Sequence, residues 1–396
     1  MIKIERDNLD FLAKRHFEEY FVKKKFYKKL KDYADSEKDA IQKEFFKSIY
    51  NQIEDIVMGR PSRLNKIIKD LSEDHQELMG KMKDYSFLKK LLNEYKKQQE
   101  NLEKNIKKNL ANVYELKQEK EDVDKRAEKV DSQIKYIEKF LEKIKKIFNY
   151  SNFCDQYSTD KVKIWGAYEL VKQLKVGACP YCNRHFITVS EPNKDDGGRT
   201  RPQLDHFYSK SRFPFLAVSF FNLIPCCYVC NSNLKRNEEF SIETHIHPYE
   251  NSFEDLVQFT VKFQSGKGKK DYLKAWNSNT QMFSIDFKVN EMKKNQISHE
   301  EYKTLYRKIE KNKEIFKLKS LYNSHIDYVE EMIVKNITYS DDKIESLCQE
   351  FPDLFPSKHD VVRVVYSNYV DTAQLDKRVL SKLTRDITQE FGIKYT

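Results

Sequence analysis

The sequence predicts a mainly α-helical chain with a small α+β centre. Three observations carry that expectation. Glycine and proline are scarce, nine of each in 396 residues, so little interrupts long helices. Apolar residues recur at steps of three and four through the first part of the chain and again beyond position 298. Between these helical stretches, Cys179-Pro-Tyr-Cys182 and Cys227-Tyr-Val-Cys230 bracket a segment of strand and turn signals.

Four regions follow in order. Residues 1–80 form an N-terminal helical region in which Tyr, Phe and Leu recur between lysines, with breaks expected near Gly59-Arg-Pro61 and at Gly80. Residues 81–150 form long heptad helices. No Gly or Pro occurs from Lys81 to Trp165, and Leu88, Leu92, Tyr95, Leu102 and Ile106 continue into Val113, Leu116, Val123, Ala127, Val130 and Ile134. Polar gaps in the register fall at Gln99, Asn109 and Lys120. As one rod, a 60-residue helix reaches about 90 Å at ~1.5 Å per residue. An antiparallel hairpin turning near Asn109–Asn112 or Glu119–Asp124 satisfies the same pattern. The arm either packs within its own chain or supplies a coiled-coil dimerisation or partner-docking surface. Residues 151–250 form the cysteine-bracketed domain, entered past Trp165-Gly166. Residues 251–396 begin with a short β-hairpin, from alternating strands Leu256–Phe263 and Phe283–Val289 around a turn-like Gly266-Lys-Gly268. Helices are expected beyond it at 298–319, 322–336, 341–350, 358–368 and 375–391.

Lys and Arg number 72 against 62 Asp and Glu, a net charge of +10, which suits a polyanionic partner. Charged residues make up 34% of the chain and the mean hydropathy is −0.79, so much helix surface is solvated. The seven cysteines are few, and four stand in metal spacing, which argues against a disulfide framework and for a reducing, cytoplasmic setting. The opening Met-Ile-Lys-Ile-Glu-Arg-Asp has no apolar signal region. From Phe213 to Leu234 no charge occurs for 22 residues, but Pro214, Asn222 and Pro225 interrupt the run. It reads as buried core and not as a membrane span.

Two Cys-x2-Cys pairs are the pattern of a structural zinc site, because each tight turn delivers two thiolates to a tetrahedral ion. Cys179 and Cys182 supply one pair, Cys227 and Cys230 the other. Cys226 competes in principle, but Cys227 reproduces the spacing of the first pair. Arg199 to Phe207 reads as a turn and then a strand, on which Asp205 and His206 face opposite sides. A helix is expected from Cys227, placing Asn231 and Lys235 on one face at i,i+4, with Asn233 and Arg236 nearby. Surface roles are expected for His185 and for the loop Pro192–Arg201 with Asp195-Asp-Gly-Gly198. His245-x-His247 reads as a packing or turn element.

Asp205-His206, Asn222 and Asn231, set between the cysteine pairs, resemble the HNH (ββα-metal) endonuclease family, with Asn in place of the last His. The longer run QLDHFYSKSRFPFLAVSFFNLIPCCYVCNSNLK is similar to HNH proteins of bacterial anti-phage systems such as Septu and retron-associated nucleases. Leu380-Ser-Lys-Leu-Thr-Arg-Asp386 resembles the tails of bacterial HNH proteins. The resemblance implies a zinc-stapled ββα-metal domain that hydrolyses DNA phosphodiesters. His206 would act as general base, its imidazole titrating near neutral pH. Asp205 and Asn231, or Asn233 in its place, would hold Mg2+ or Mn2+ through oxygen ligands. Asn222 would tether the backbone of the His206 loop. Lys235 and Arg236 would grip phosphates. A homodimer, or a complex with an ATPase-type sensor, is implied for the setting. The same residues serve an RNA-cleaving nuclease, and a non-catalytic zinc scaffold binding nucleic acid or a partner is the rival of another class.

Overall fold

The computed structural model describes residues 1–108, 112–156, 164–190, 198, 200–253, 256–263 and 283–395. Of the turn expected at Asn109–Asn112, residues 109–111 lie outside the described residues, as do Gly266–Gly268 and most of the loop Pro192–Arg201. The chain divides into two compact units. One comprises Ala13–Phe153 and Tyr208–Asn222; the other comprises Met1–Leu12, Cys154–Phe207 and Leu223–Thr396.

The first unit is helical. Its elements are the end of α1 (Leu9–His16), a π-helical turn (Phe17–Val22), α2 (Phe26–Ser36), α3 (Ala40–Asn51), α4 (Ile53–Met58), α5 (Pro61–Asp74), α6 (Gln76–Lys107) and α7 (Val113–Ile147). Local chemistry sets several of these boundaries. Asp39 caps α3 by accepting the Gln42 N–H at 3.0 Å. Pro61 opens α5, where a main-chain N–H has no helical partner to lose. At Gly59 a Cβ would collide with the carbonyl oxygen of Asp55, so the α4–α5 corner excludes a side chain. Gly80 does not break the chain as expected. It lies inside α6, where burial of Leu78, Met79 and Met82 outweighs a glycine cost of about 1 kcal/mol.

The heptad arm is an antiparallel hairpin of α6 and α7, not a single rod. Tyr85 donates to Glu138 at 2.8 Å, Gln99 to Asp124 at 2.7 Å, and Lys120 meets Glu103 at 3.3 Å, so partner numbers fall as residue numbers rise. Leu92, Ala127, Val130 and Ile134 form the apolar seam, flanked by Tyr85, Leu88, Leu91 and Tyr95. The register gaps at Gln99 and Lys120 have a physical purpose. With Glu103 and Asp124 they form a polar cluster across the seam. The part of the uncharged run up to Asn222 adds its aromatics to this unit: Phe215 lies 6.0 Å from Phe45, which packs edge-on to Phe140 at 5.3 Å. Among the described residues no helix is long and apolar enough to cross a membrane.

The second unit contains two small antiparallel sheets. β1 (Gln203–His206) pairs with β2 (Leu223–Cys226), and a π-helical segment (Val229–Lys235) follows. β3 (Val257–Phe263) pairs with β4 (Phe283–Val289), matching the strands expected from alternation. The helix Ser381–Glu390 covers the free edge of β3. Asp386 accepts the Phe259 N–H at 2.9 Å and Glu390 the Val261 N–H at 3.1 Å. Carboxylates one helical turn apart thus satisfy N–H groups two residues apart on a strand edge that would otherwise be exposed. The remaining helices include His299–Ile315, Leu318–Tyr322, Ile326–Thr338, Asp341–Glu350 and Lys358–Val365. Two expected helices are cut. The helix expected over 298–319 breaks at Lys317 (φ 48°), and the last helix starts only after Leu380 (φ 59°). Neither residue type signals a left-handed backbone in sequence.

Candidate functional site

Cys179, Cys182, Cys227 and Cys230 converge, with their sulfur atoms all within 4.8 Å of one another and all four side chains buried. The surrounding backbone is arranged for thiolates. The N–H of Cys227 points to Cys179 Sγ, that of Cys230 to Cys227 Sγ, and that of Arg184 to Cys182 Sγ, each at 3.4 Å. Hydrogen bonds from the neighbouring thiols, Cys179 first, hold Cys182 well below the usual thiol range. Four soft ligands, buried and supplied with N–H donors, fit a tetrahedral metal such as zinc. Cys226 is excluded from the set. It ends β2 opposite Gln203 and lies outside the four converging sulfurs. His185, expected at the surface, is half-buried with Nδ1 3.6 Å from Cys182 Sγ, and this contact raises its pKa.

The second cysteine pair fixes the segment that faces β1. The Val229–Lys235 segment is π-helical and not α-helical: the N–H of Arg236 reaches back to the Asn231 carbonyl at 3.0 Å. It ends at Arg236, whose φ of 49° stops any continuation. Asn231 Nδ2 donates to Gln203 Oε1 at 2.7 Å, and Lys235 reaches Asp205 two residues further along β1. Asn231 and Lys235 therefore share the face turned to β1. Asn233 is exposed, as is Arg236, whose Nε donates to the Asn233 carbonyl at 2.8 Å. Strand alternation turns His206, 8% exposed, to the face opposite Asp205.

Lys235 was expected to grip phosphate, but its side chain is 3% exposed and that of Asp205 4%. Its ammonium lies 2.7 Å and 2.9 Å from the two Asp205 oxygens and 2.6 Å from the His206 carbonyl. The Tyr181 hydroxyl donates to Asp205 Oδ2 at 2.6 Å, and burial, then Asp205, push that phenol well up. Phe240 covers the ammonium at 4.7 Å from its ring centroid. Both oxygens of Asp205 are thus engaged, and as arranged the carboxylate presents no open edge to a divalent cation.

Asn222 is fully buried. Its Oδ1 accepts the Tyr208 N–H at 2.7 Å, while Nδ2 donates to the carbonyls of Tyr208 (3.1 Å) and Leu216 (2.9 Å). It thereby tethers the chain two residues after His206. His245 and His247 are buried packing elements: His245 stacks on Phe240 at 3.9 Å, and His247 lies 4.1 Å from the Phe207 ring. Sequence reasoning missed Asn183 and Tyr181. Asn183 follows Cys182 with φ 51° and bonds Leu375, Arg378, Ser381 and Lys382. An Asn directly after a metal-spaced Cys, where a left-handed backbone is common, was the available signal. Tyr181, inside the Cys-x2-Cys turn, carried none.

Comparison with known protein families, curated proteins and solved structures finds no match to this chain. The functional reading of the site therefore rests on its own residues.

Proposed function

We propose that the chain is a zinc-stabilised endonuclease of the HNH type that hydrolyses DNA phosphodiesters. The observation that carries the reading is the joint arrangement of β1, β2 and the segment Val229–Lys235 beside a buried four-cysteine cluster, with Asp205-His206 ending β1. Zinc would be held by Cys179, Cys182, Cys227 and Cys230 and would fix this arrangement without taking part in chemistry. His206 would take the proton of the attacking water as the P–O3′ bond breaks. Lys235, by holding the His206 carbonyl, fixes the backbone that carries the base. Asn222 restrains the following loop at Tyr208. Exposed Arg236 is available to a phosphate. In this family Mg2+ or Mn2+ would occupy Asp205 and Asn231. With Lys235 seated on Asp205 that pair is not open to the ion, and no step is assigned to it.

The net charge of +10 suits DNA, and the resemblance to anti-phage HNH proteins supports a defence effector working as a dimer or beside an ATPase-type sensor. A second reading has one observation behind it. The closed Asp205–Lys235 pair also suits a non-catalytic zinc scaffold that binds nucleic acid or a partner. Incubation of zinc-loaded protein with supercoiled plasmid and, in parallel, single-stranded RNA, with Mg2+ or Mn2+, separates these readings. Nicking or linearisation that is lost in His206→Ala supports the DNA nuclease. Cleavage of RNA alone moves the substrate class. Cleavage retained in His206→Ala overturns the assignment of His206 as the base, whereas inertness under every condition together with intact nucleic-acid binding by His206→Ala favours the scaffold.

A further inference from the structure

A cavity of about 610 Å3 opens on the helical unit, and its described lining belongs to that unit alone. A volume of this order holds a small organic molecule. Its interior is apolar. Leu141, Phe148, Pro214 and Ala217 line it and are buried, and the rings of Tyr85 and Tyr150 add aromatic surface. Its rim is basic, with exposed Lys145, Lys146 and Lys210 against one carboxylate, Glu142. The Lys210 ammonium sits over the Tyr150 ring, 4.5 Å from its centroid.

Much of this polar lining is unused. Elsewhere on α7, Lys125 pairs with Glu121 at 2.8 Å and Lys135 with Asp131 at 2.7 Å. Lys145 and Lys146 stand three and four residues from Glu142, yet neither forms an ion pair or hydrogen bond among the described residues. Asn149 also lines the cavity. Its Oδ1 accepts the Asn152 N–H at 2.9 Å, while its NH2 group has no partner among the described residues. Ammoniums at the rim of an apolar, aromatic interior, with a spare amide donor, match a ligand that is anionic at one end and flat at the other.

We propose that this cavity binds a nucleotide, with the base against the buried lining and a terminal phosphate among Lys145, Lys146 and Lys210. Three lysines and one glutamate leave the lining with a charge of +2. A phosphate monoester carries about −1.5 to −2 near pH 7. Lys145 and Lys146 lie in the last turn of α7, whose carbonyl ends repel an anion, so the ammoniums must supply the attraction. None of the residues assigned to cleavage lines the cavity, so the inference goes beyond the nuclease reading and does not require it.

The test is calorimetric titration of the full-length, zinc-loaded protein at about 0.15 M salt, without added divalent ions. The probes are AMP, CMP, adenosine, inorganic phosphate and decanoate. The expected result is saturable binding of AMP, CMP or both, at least about tenfold tighter than that of the other three. In Lys145→Met/Lys146→Met it should weaken at least about tenfold. Lys28→Met/Lys29→Met removes two lysines of α2 and should leave it unchanged. All four lysines are exposed, so neither variant threatens folding. Competition then separates two sources of the same chemical group. Displacement of the nucleotide by a 5′-phosphorylated oligonucleotide, but not by its 5′-hydroxyl twin, assigns the site to a strand end. Displacement by neither assigns it to the free nucleotide. Displacement by both makes the cavity a general polyanion surface and overturns the inference. So does the absence of binding by both nucleotides, equal affinity for adenosine or decanoate, or the same nucleotide affinity in the two lysine variants.

Discussion

The side-chain oxygen of Asn183 accepts the main-chain N–H of Lys382 at 3.0 Å, across 199 residues of sequence. The same oxygen takes the Ser381 hydroxyl at 3.0 Å, and Nδ2 donates to the carbonyls of Leu375 (3.2 Å) and Arg378 (3.1 Å). One buried amide beside Cys182 therefore organises the start of the last helix, and that helix in turn closes the edge of β3.

Replacing Asn183 by Ala should destabilise the second unit by about 2–4 kcal/mol, because several buried polar groups lose their partner together. Asn183→Gly separates the causes. It accommodates the φ of 51° but restores no hydrogen bond, so it should recover only about 1 kcal/mol. Urea unfolding of the three proteins is the measurement. A loss of under about 0.5 kcal/mol in Asn183→Ala would show that the last helix docks without this amide.

The two adjacent cysteines 226 and 227 should behave oppositely. Cys227→Ser removes a member of the four-sulfur cluster and should abolish stoichiometric zinc and cooperative unfolding of its unit, since structural zinc contributes about 10 kcal/mol or more. Cys226→Ser should keep its zinc, with a cost of about 1–2 kcal/mol for placing a hydroxyl in a fully buried site. Metal analysis of purified proteins, before and after chelator dialysis, decides this. Equal zinc loss in both would reopen the choice of ligand.

Much of this architecture was legible because it follows from periodicity and pair spacing. The strands 257–263 and 283–289 came from alternation, and the cysteine quartet from its Cys-x2-Cys repeats. The heptad pattern fixed which faces of α6 and α7 are apolar but left rod and hairpin equally open. The arbiter is the cross-pairing of Gln99 with Asp124 and Lys120 with Glu103, which no local pattern encodes. Lys235 was misplaced for a similar reason. A lysine on a short helix near a phosphate-binding motif reads as surface charge, and only the register of that segment on β1 reveals Asp205 as its buried partner. The assignment of residues 208–222 to the helical unit also escaped sequence reading, because its aromatics are equally apolar in either core.

Asp286 on β4 should make the second unit acid-sensitive. Burial acts to raise its carboxyl, but Lys262 at 2.6 Å, Lys319 at 3.0 Å and the Phe287 N–H outweigh burial and bring its pKa to about 2. With the folded pKa below the unfolded value of 3.8, the stabilisation is present above about pH 3.8 and is lost as pH falls towards 2. Both lysines are more than 60% exposed, so solvent and salt weaken the pairing. Asp286→Asn should cost about 1 kcal/mol at pH 7 in low salt and less in 1 M salt. Unfolding free energies of wild type and variant should converge near pH 2; a constant difference from pH 7 to pH 2 would reject the assignment.

His16 should impose a separate pH dependence on the helical unit, at higher pH. Its ring is fully buried, edge-on to Phe153 at 5.1 Å and stacked with Tyr20 at 5.9 Å, with Nε2 2.7 Å from the Val218 carbonyl. Burial lowers its pKa to about 4, although the Val218 carbonyl favours the charged form. The unfolded chain, titrating near 6.5, therefore binds a proton before the folded one as the pH drops. The stabilisation is complete above about pH 6.5 and is lost between there and about pH 4, amounting to roughly 3 kcal/mol at the low end. His16→Gln keeps an N–H donor for Val218 but has no charge to gain. It should unfold with lower stability than wild type at pH 7.5 and lose less on going to pH 4.5. Urea titrations of both proteins at the two pH values, followed by a probe in α6 or α7, measure that difference of slopes. Identical slopes would mean that His16 is already protonated in the folded unit or that it stays neutral in the unfolded one.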